Sequence, residues 1–252
     1  MISAGTVSGD SRYAAAQQAA NPGHDSHSAL APAWHTVIVL LALFGLSAVG
    51  FISPNLFPLG GWHTRAAGYT FIIVYEWIIA AFIAWGIRSR GIHISDLVGG
   101  SWARPKDFLR DLGIGVLFFL VCGIGVVTGV RFLIKATANA GMHDMLPHNG
   151  LELTVWMLMS LTAGFCEELI FRGYLQRQFA ALTKSAWAAI VLQGIAFGAA
   201  HGYQGWKMMV VISVYGSLFG LLVQWRRSLR PGMLAHFIQD GMGGLLGRYL
   251  MR

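Results

Sequence analysis

The fold of this chain is decided by long apolar runs, and the most informative of them reads LTVWMLMSLTAGFCEELIFRGYLQRQFA over residues 153–180. A helix needs about 20 mostly apolar residues to cross a bilayer, and this run exceeds that length. Six further runs of helix length occupy 35–53, 68–87, 111–134, 185–202, 207–225 and 231–250. Lipid admits only helices or closed barrels, and the period-2 alternation of a barrel is absent. We therefore expect an all-α polytopic membrane protein with seven or eight transmembrane helices.

The composition agrees with a membrane protein. Of the 252 residues, 55% are hydrophobic and 12% are charged, and the mean hydropathy is +0.57. A soluble domain contains about 25% charged residues, so a soluble enzyme is disfavoured. The formal net charge is +7. In a hydrophobic chain, basic loops set topology and meet anionic lipid, so we expect the bilayer as a partner and no nucleic acid.

The ends of the apolar runs define the domain organisation. Residues 1–33 are rich in Ala, Ser, Gly and Gln and contain no apolar run, which predicts a disordered tail. Residues 34–252 form a single transmembrane domain in this interpretation. Lys and Arg concentrate in alternate loops at 88–110, 172–184 and 226–230, whereas the opposite loops contain only Arg65, Lys135 and Lys207. The positive-inside rule then places the first set, and the N-terminus, in the cytoplasm.

Ionisable side chains within the apolar runs indicate where chemistry is expected, because a charge in lipid is costly and usually functional. These side chains are Glu76, Arg131, Glu167, Glu168, Arg172, His201, His236 and Asp240. Six of the eight follow residue 160. We therefore expect the functional site in the C-terminal half, and we interpret Glu76 and Arg131 as structural.

The first motif is GFCEELIFR at 164–172. Arg172 follows Glu168 by four residues, which places both on one helix face and predicts an ion pair. Glu167 points about 100° away from Glu168, toward a different neighbour. Because desolvation and mutual repulsion oppose the ionisation of two adjacent carboxylates, Glu167 is suited to exchange a proton as a general base. A buried ion pair beside a helix-end acid is the alternative interpretation.

The second motif is Phe197-x-x-x-His201, at the end of an apolar run. Lys184 lies in the polar break 181–185 and is 17 residues from both Glu167 and His201. If the chain reverses there as a helical hairpin, the two side chains lie at the same depth, each about 25 Å along its helix. This predicts that a carboxylate and an imidazole can meet; an interfacial histidine at a helix end is the alternative.

The third motif pairs His236 with Asp240, four residues apart and on one helix face. Asp240 can orient the His236 ring, or both can face a cavity; a plain buried hydrogen bond is the alternative. His236 lies only a few residues beyond the basic turn at 226–230, whereas Glu167 is far from its own turn. The motifs therefore meet only if the helices are axially offset or the fourth segment extends into the cytoplasm.

Several routes to peptide hydrolysis lack their residues in this sequence. It contains no HExxH motif and no Gly-x-Ser-x-Gly elbow, and we take Asp240 as the only intramembrane aspartate, which leaves no aspartyl dyad. Activation of water by a Glu and a His remains. The spacing also allows a zinc or iron site, since such metals accept nitrogen and oxygen ligands. Its ligands would be Glu167, His201, His236 and Asp240.

The three motifs together resemble those of the CPBP family, the type II CAAX prenyl endopeptidases and their bacterial relatives, often called abortive-infection or bacteriocin self-immunity proteins. The ordered pattern is Glu167-Glu168-x-x-x-Arg172, Phe197-x-x-x-His201 and His236-x-x-x-Asp240. The resemblance covers about 110–250. It implies helices around a cavity open to the cytoplasm, and a glutamate-dependent intramembrane peptidase with no catalytic metal or cofactor.

The resemblance also implies a role for each matching residue. Glu167 would activate water with the help of His201, and His236 and Asp240 would hold the oxyanion. Glu168 and Arg172 would orient the first-motif helix, and Phe197 would support the second motif. The prenyl proteases of the family have Asn at the last position. Because an ionised carboxylate would repel an oxyanion, Asp240 must be protonated, orient His236 or bind a cation.

These observations predict an intramembrane endopeptidase in a bacterial cell membrane. Its substrate would be a membrane-anchored or CAAX-like peptide or protein, cleaved near the cytoplasmic face. Three alternatives stay open: a non-proteolytic membrane immunity or scaffold protein, a metal-dependent membrane protease, and a proton-coupled carrier that uses the same buried groups.

Overall fold

The computed structural model describes residues 29–52, 64–136 and 145–250, with side chains described up to residue 247. Within these ranges the chain forms eight helices, one 3₁₀ turn at Gly202–Gln204 and no β-strand. The helices are α1 Ala33–Ile52, α2 Arg65–Arg88, α3 Ile94–Val98, α4 Pro105–Leu133, α5 Gly150–Thr183, α6 Ala186–Ala200, α7 Trp206–Arg226 and α8 Arg230–Leu250. The predicted all-α class is confirmed.

Seven of these helices coincide with the seven apolar runs of the sequence. Five are both long and apolar enough to cross a membrane, namely α1, α2, α4, α5 and α7. Helix α6 is apolar but has only 15 residues, and α8 contains several polar side chains. The protein is therefore a multipass integral membrane protein, and the number of seven or eight crossings stays a prediction.

The outer faces of the long helices are apolar, as expected for surfaces that meet lipid rather than water. Large hydrophobic side chains are exposed on several of them, including Leu41, Trp85, Leu117, Phe132 and Leu161. These side chains would be unfavourable in water in such numbers. The bilayer is their natural solvent.

The beginning of the described chain packs against α5. Leu30 and Ala31 are buried, and the Gln178 amide accepts from both of their backbone N–H groups and donates to the Ala31 carbonyl. Residues 29–32 are thus anchored ahead of α1. The rest of the predicted tail, 1–28, lies outside the described residues.

Helix α5 is longer than a bilayer is thick. Its 34 residues correspond to about 50 Å, against a hydrocarbon thickness of about 30 Å. It also changes character at the first motif, because the backbone from Glu168 to Leu175 forms a π-helix. Such turns are rare and occur frequently at functional sites. The motifs could meet only if their helices are displaced along their axes or if the fourth segment extends beyond the membrane. The length of α5 is sufficient for such a displacement.

The helical hairpin predicted around Lys184 is present. Helix α5 ends at Thr183, Lys184 adopts a left-handed conformation with φ 56°, and the Ser185 hydroxyl accepts from the Ala188 N–H to cap α6. The chain therefore reverses within two residues. Helix α6 returns along the molecule and brings the second motif back toward the first.

Close backbone packing positions α8 against α5. The two helices run antiparallel, since Gly232 lies against Glu168 and Gly244 against Trp156. A side chain at Gly164 would place its Cβ 2.8 Å from the Met233 carbonyl oxygen, so only glycine fits there. This approach draws the first motif and His236 together across the interface.

Candidate active site

His236 on α8 lies at the centre of the buried ionisable groups. Its Nδ1 is 3.0 Å from Glu168 Oε1, and its Nε2 is 3.5 Å from both Glu167 Oε2 and Asp240 Oδ2. The ring itself is almost fully buried. Helices α5 and α8 thus bring three carboxylates to one imidazole, although Glu168 and His236 are 68 residues apart in sequence.

The ion pair predicted from the first motif is present and is completely buried. Arg172 Nη1 lies 2.9 Å from Glu168 Oε1, and neither side chain is exposed. The Arg172 Nη2 group also donates to the Gly216 carbonyl on α7 at 3.2 Å. The guanidinium lies between the rings of Phe197 and Phe219, at 4.3 and 4.8 Å from their centroids. These contacts fix the side chain of Glu168.

This arrangement specifies the tautomer of His236. The Glu168 carboxylate, charged and paired with Arg172, can only accept hydrogen bonds, so Nδ1 of His236 carries the proton between them. In the neutral ring, Nε2 is then an acceptor, and in the imidazolium it becomes a second donor. Nε2 is the atom that faces Glu167 and Asp240. The Nε2 side of the ring therefore faces two carboxylates that form no salt bridge with an arginine among the described residues.

His201 joins the site from the end of α6. Its Nδ1 lies 2.8 Å from the Phe197 carbonyl oxygen. Because that oxygen can only accept a hydrogen bond, Nδ1 is the donor, and Nε2 is an acceptor when the ring is neutral. The His201 and Phe197 rings meet edge to face at 4.7 Å. His201 is also close enough to Asp240 for an electrostatic interaction. The Phe197 ring also lies against the Arg172 guanidinium and edge-on to the His236 ring, so it contacts both the first and the third motif.

Glu76 on α2 belongs to the same cluster. It is 6% exposed, and its carboxyl group lies within hydrogen-bonding reach of Glu167. The interpretation of Glu76 as merely structural overlooked this contact. The sequence indicated that Glu76 is unusual, because a carboxylate in an apolar run is costly. The spacing of residues could not indicate that it would meet Glu167, because the two residues lie on different helices. Arg131, on the last turn of α4, belongs to a different part of the molecule.

A second buried carboxylate was missed by the sequence analysis. Asp111 lies near the beginning of α4 and is fully buried, so Asp240 is not the only aspartate within the apolar helices. Its oxygens lie 3.1, 3.7 and 3.2 Å from nitrogens of Arg110, Arg226 and Arg230, and accept from the Trp102 indole at 3.0 Å. We call this set the Asp111 cluster. Its position at the end of an apolar run made it look like part of a solvated loop.

Metal ligation was the other arrangement that the spacing allowed. Among the described ranges 29–52, 64–136 and 145–250, no three His, Cys, Asp or Glu side chains are arranged to hold a metal ion. The four residues named as candidate ligands instead contact one another or the backbone, as described above.

The class defined by these observations is a polytopic α-helical membrane protein with an ionisable centre buried between its helices. Residues 149–242 match the family model of the type II CAAX prenyl endopeptidase Rce1-like proteins. This segment contains all three motifs, whereas Glu76 and Asp111 lie outside it. Residues 149–242 are therefore similar to the family that the motifs predicted, and the model of that family describes endopeptidases.

A curated relative is consistent with this assignment. The chain is 30% identical over 88 residues to YpbD of Bacillus subtilis (strain 168), an uncharacterized protein. The match covers 34% of this chain and 42% of YpbD, so the chain spans less than half the length of this relative. No solved structure gives a significant match.

Proposed function

We propose that the protein is an intramembrane endopeptidase that hydrolyses a peptide bond of a membrane-anchored, CAAX-like substrate. The observation that carries the proposal is the contact of His236 Nε2 with Glu167 and Asp240, 3.5 Å from each, inside apolar helices. Ionisable groups in such surroundings are costly and usually serve chemistry. The family of residues 149–242 supports peptide hydrolysis as that chemistry.

In the proposed reaction, Glu167 acts as the general base. Its carboxylate takes a proton from a water molecule, and the oxygen of that water attacks the carbonyl carbon of the scissile peptide bond. The carbonyl oxygen becomes an oxyanion as its π bond breaks. When the tetrahedral intermediate collapses, the C–N bond breaks and protonated Glu167 returns the proton to the leaving amine. His201, with Nε2 free to accept, would orient the water.

His236 would stabilise the oxyanion. An imidazolium ring offers an Nε2–H donor where negative charge develops, and such preorganised donors supply much of the rate enhancement in acyl transfer. Glu168 holds the opposite nitrogen and is itself held by Arg172. Glu168 and Arg172 are therefore positioning residues in this proposal, since they reach the reacting atoms only through His236.

Asp240 takes a role that differs from that of the asparagine of the prenyl proteases. Its contact with His236 Nε2 supports an ion pair with the imidazolium, which is one of the possibilities that the sequence left open. In this role Asp240 orients the ring in the resting enzyme. It releases Nε2 to the oxyanion when the substrate is bound.

We also propose a location in a bacterial cell membrane with the N-terminus in the cytoplasm, and the distribution of basic residues supports this orientation. In the same proposal, residues 1–33 form a cytoplasmic tail, residues 34–252 form one transmembrane domain, and the site opens to the cytoplasm. A substrate anchored in the inner leaflet could then reach Glu167 from the cytoplasmic side.

The test is cleavage by the purified full-length chain in liposomes. The probe is a farnesylated CAAX peptide with a fluorophore and a quencher on either side of the scissile bond. We expect Glu167→Gln to lower turnover by about 10²–10⁴-fold, since Gln keeps the shape but cannot accept a proton. The matched control is Glu152→Gln, because Glu152 lies about 22 Å away on the same helix.

Other outcomes separate the alternatives. Membrane proteomics of cells with wild type or Glu167→Gln would identify natural substrates by their new termini. Equal cleavage by wild type and Glu167→Gln, or no cleaved peptide in either experiment, would overturn the proposal. A cellular phenotype that survives Glu167→Gln would indicate a non-proteolytic immunity or scaffold protein. Loss of cleavage on chelation, restored by added zinc, would indicate a metal-dependent protease.

A further inference from the structure

We propose that Glu76 is a positioning residue of the site and shares one proton with Glu167. Glu76 lies on α2, outside the segment 149–242 that matches the peptidase family. Its effect on catalysis rests on the proposed function, whereas the shared proton does not. The site would then be assembled from three helices of the family segment and one helix of the N-terminal half.

Helix packing places Glu76 directly against the first motif. Helix α2 packs along α5, and the ring of Trp77 stacks on that of Phe165 at 5.5 Å. These residues adjoin Glu76 and the Cys166-Glu167 pair in sequence. The carboxyl group of Glu76 is therefore buried between the two helices, within hydrogen-bonding reach of Glu167.

Both carboxyl groups have an oxygen that is buried without a donor. Among the described residues, Oε2 of Glu76 and Oε2 of Glu167 each lack a hydrogen-bond partner, although each is sealed from solvent. His236 Nε2 approaches the Glu167 oxygen only to 3.5 Å. Two ionised carboxylates can only accept, so they could not satisfy one another. A single proton between the two groups turns one of them into a donor and removes the repulsion. Buried polar atoms are nearly always satisfied in this way or by a comparable partner.

Within the part of the chain that the structure describes, the surroundings of Glu76 supply no positive charge to replace that proton. The side chains that act on it electrostatically are Glu167 from α5 and Asp240 from α8, and both are acidic. Its other titratable neighbours are Tyr75 on its own helix, Cys166 on α5 and Tyr203 after α6. Glu168, by contrast, has Arg172. A proton is therefore what allows Glu76 to be buried beside Glu167.

Sharing a proton would orient the general base. Protonated Glu76 donates to one oxygen of the Glu167 carboxylate and fixes its rotamer, which leaves the other oxygen to accept from water. Glu76 does not itself meet the substrate in this arrangement. Its loss should therefore lower kcat and leave KM unchanged, because the positioning of the base matters after the substrate has bound.

Infrared spectroscopy of the full-length protein in liposomes at neutral pH tests the proton directly. A protonated carboxyl group has a carbonyl-stretch band that a carboxylate lacks. We expect Glu76→Gln to lose such a band, and Glu152→Gln to retain it. A band from Asp240 would persist in Glu76→Gln and vanish in Asp240→Asn. Identical carboxyl bands in wild type and Glu76→Gln would overturn the shared proton.

Kinetics test the positioning role. Gln at position 76 can still donate to Glu167, whereas Met has a similar shape and cannot. We expect kcat to stay within about threefold for Glu76→Gln and to fall by about tenfold or more for Glu76→Met, with KM and Tm unchanged. Equal kcat for wild type and Glu76→Met would overturn the role. If wild type is inactive on every substrate, the proposed peptidase function fails, while the infrared result still decides the shared proton.

Discussion

Two buried ionisable clusters in this molecule have opposite charge balances. In the Asp111 cluster, one carboxylate meets the nitrogens of three arginines and an indole N–H. The His236 cluster consists of Glu76, Glu167, Glu168, Arg172, His201, His236 and Asp240, so that four carboxylates lie among one guanidinium and two imidazoles. Both clusters occupy the ends or interiors of apolar helices, so burial alone does not distinguish them.

The difference lies in whether the carboxylate oxygens have hydrogen-bond or ion-pair partners. Both Asp111 oxygens have close partners, and the arginines extend from the cluster toward its exposed rim. In the His236 cluster, one oxygen each of Glu76, Glu167 and Glu168 is buried without a hydrogen-bond donor from the described ranges of the chain. A cluster whose carboxylate oxygens are all paired holds helices together, whereas a cluster with excess carboxylates can bind and release protons. This comparison predicts stability effects in the first cluster and activity effects in the second.

The largest expected effect comes from the one balanced pair within the His236 cluster. Arg172→Met leaves the Glu168 charge buried without its partner, and breaking such a pair costs about 3–5 kcal/mol. We expect a corresponding loss in the free energy of unfolding, measured by denaturation in detergent micelles. The double variant Glu168→Gln with Arg172→Met should recover most of that loss. If Arg172→Met alone is as stable as wild type, the pair has no structural role.

His236→Gln should have the next largest effect, on activity. Gln can still donate to Glu168 but cannot become a cation at the position of Nε2, so we expect kcat to fall by about 10²–10³-fold. The matched control is His35→Gln, because His35 is equally buried and bonds to Tyr174 and to the Phe82 carbonyl. That variant should lose stability and keep its turnover per folded molecule. Similar losses of turnover in both variants would contradict a special role for His236.

Asp111→Asn should affect stability and leave activity unchanged. Asn keeps the acceptor for the Trp102 indole but leaves Arg230, which is mostly buried, without a counter-charge. Because Arg110 and Arg226 are partly exposed, we expect a loss of about 2 kcal/mol, less than for Arg172→Met. The control is Asp107→Asn, whose partner Arg104 is mostly exposed. A change in kcat per folded molecule for Asp111→Asn would show that the two clusters are coupled.

Much of this architecture is predictable from local sequence. Apolar runs predicted seven of the eight described helices, the polar break around Lys184 predicted the hairpin, and i,i+4 spacing predicted the Glu168–Arg172 pair. Each of these features depends on residues that are close together in the chain. Local periodicity and helix geometry therefore suffice to predict them.

The contacts between distant helices required the structure. Spacing gave no reason to expect that Glu76 would lie beside Glu167, or that His236 would bond to Glu168 as well as approach Glu167. These contacts depend on close packing such as that at Gly164, which the sequence does not assign to a particular partner helix. Asp111 was missed for the same reason, since its arginine partners come partly from α7 and α8.

Asp240→Asn should have the smallest effect and gives the sharpest test of the comparison. The Asp240 side chain is 29% exposed, and an ion pair of that kind is worth up to about 1 kcal/mol. Asn still offers His236 Nε2 an acceptor oxygen and removes a charge that opposes the oxyanion, so we expect kcat to change by less than about fivefold. Steady-state kinetics of this variant, alongside Glu167→Gln, would check the difference between them. A loss of kcat as large as that of Glu167→Gln would mean that the carboxylate of Asp240 also takes part in the proton transfer. The His236 cluster would then contain two general bases, Glu167 and Asp240.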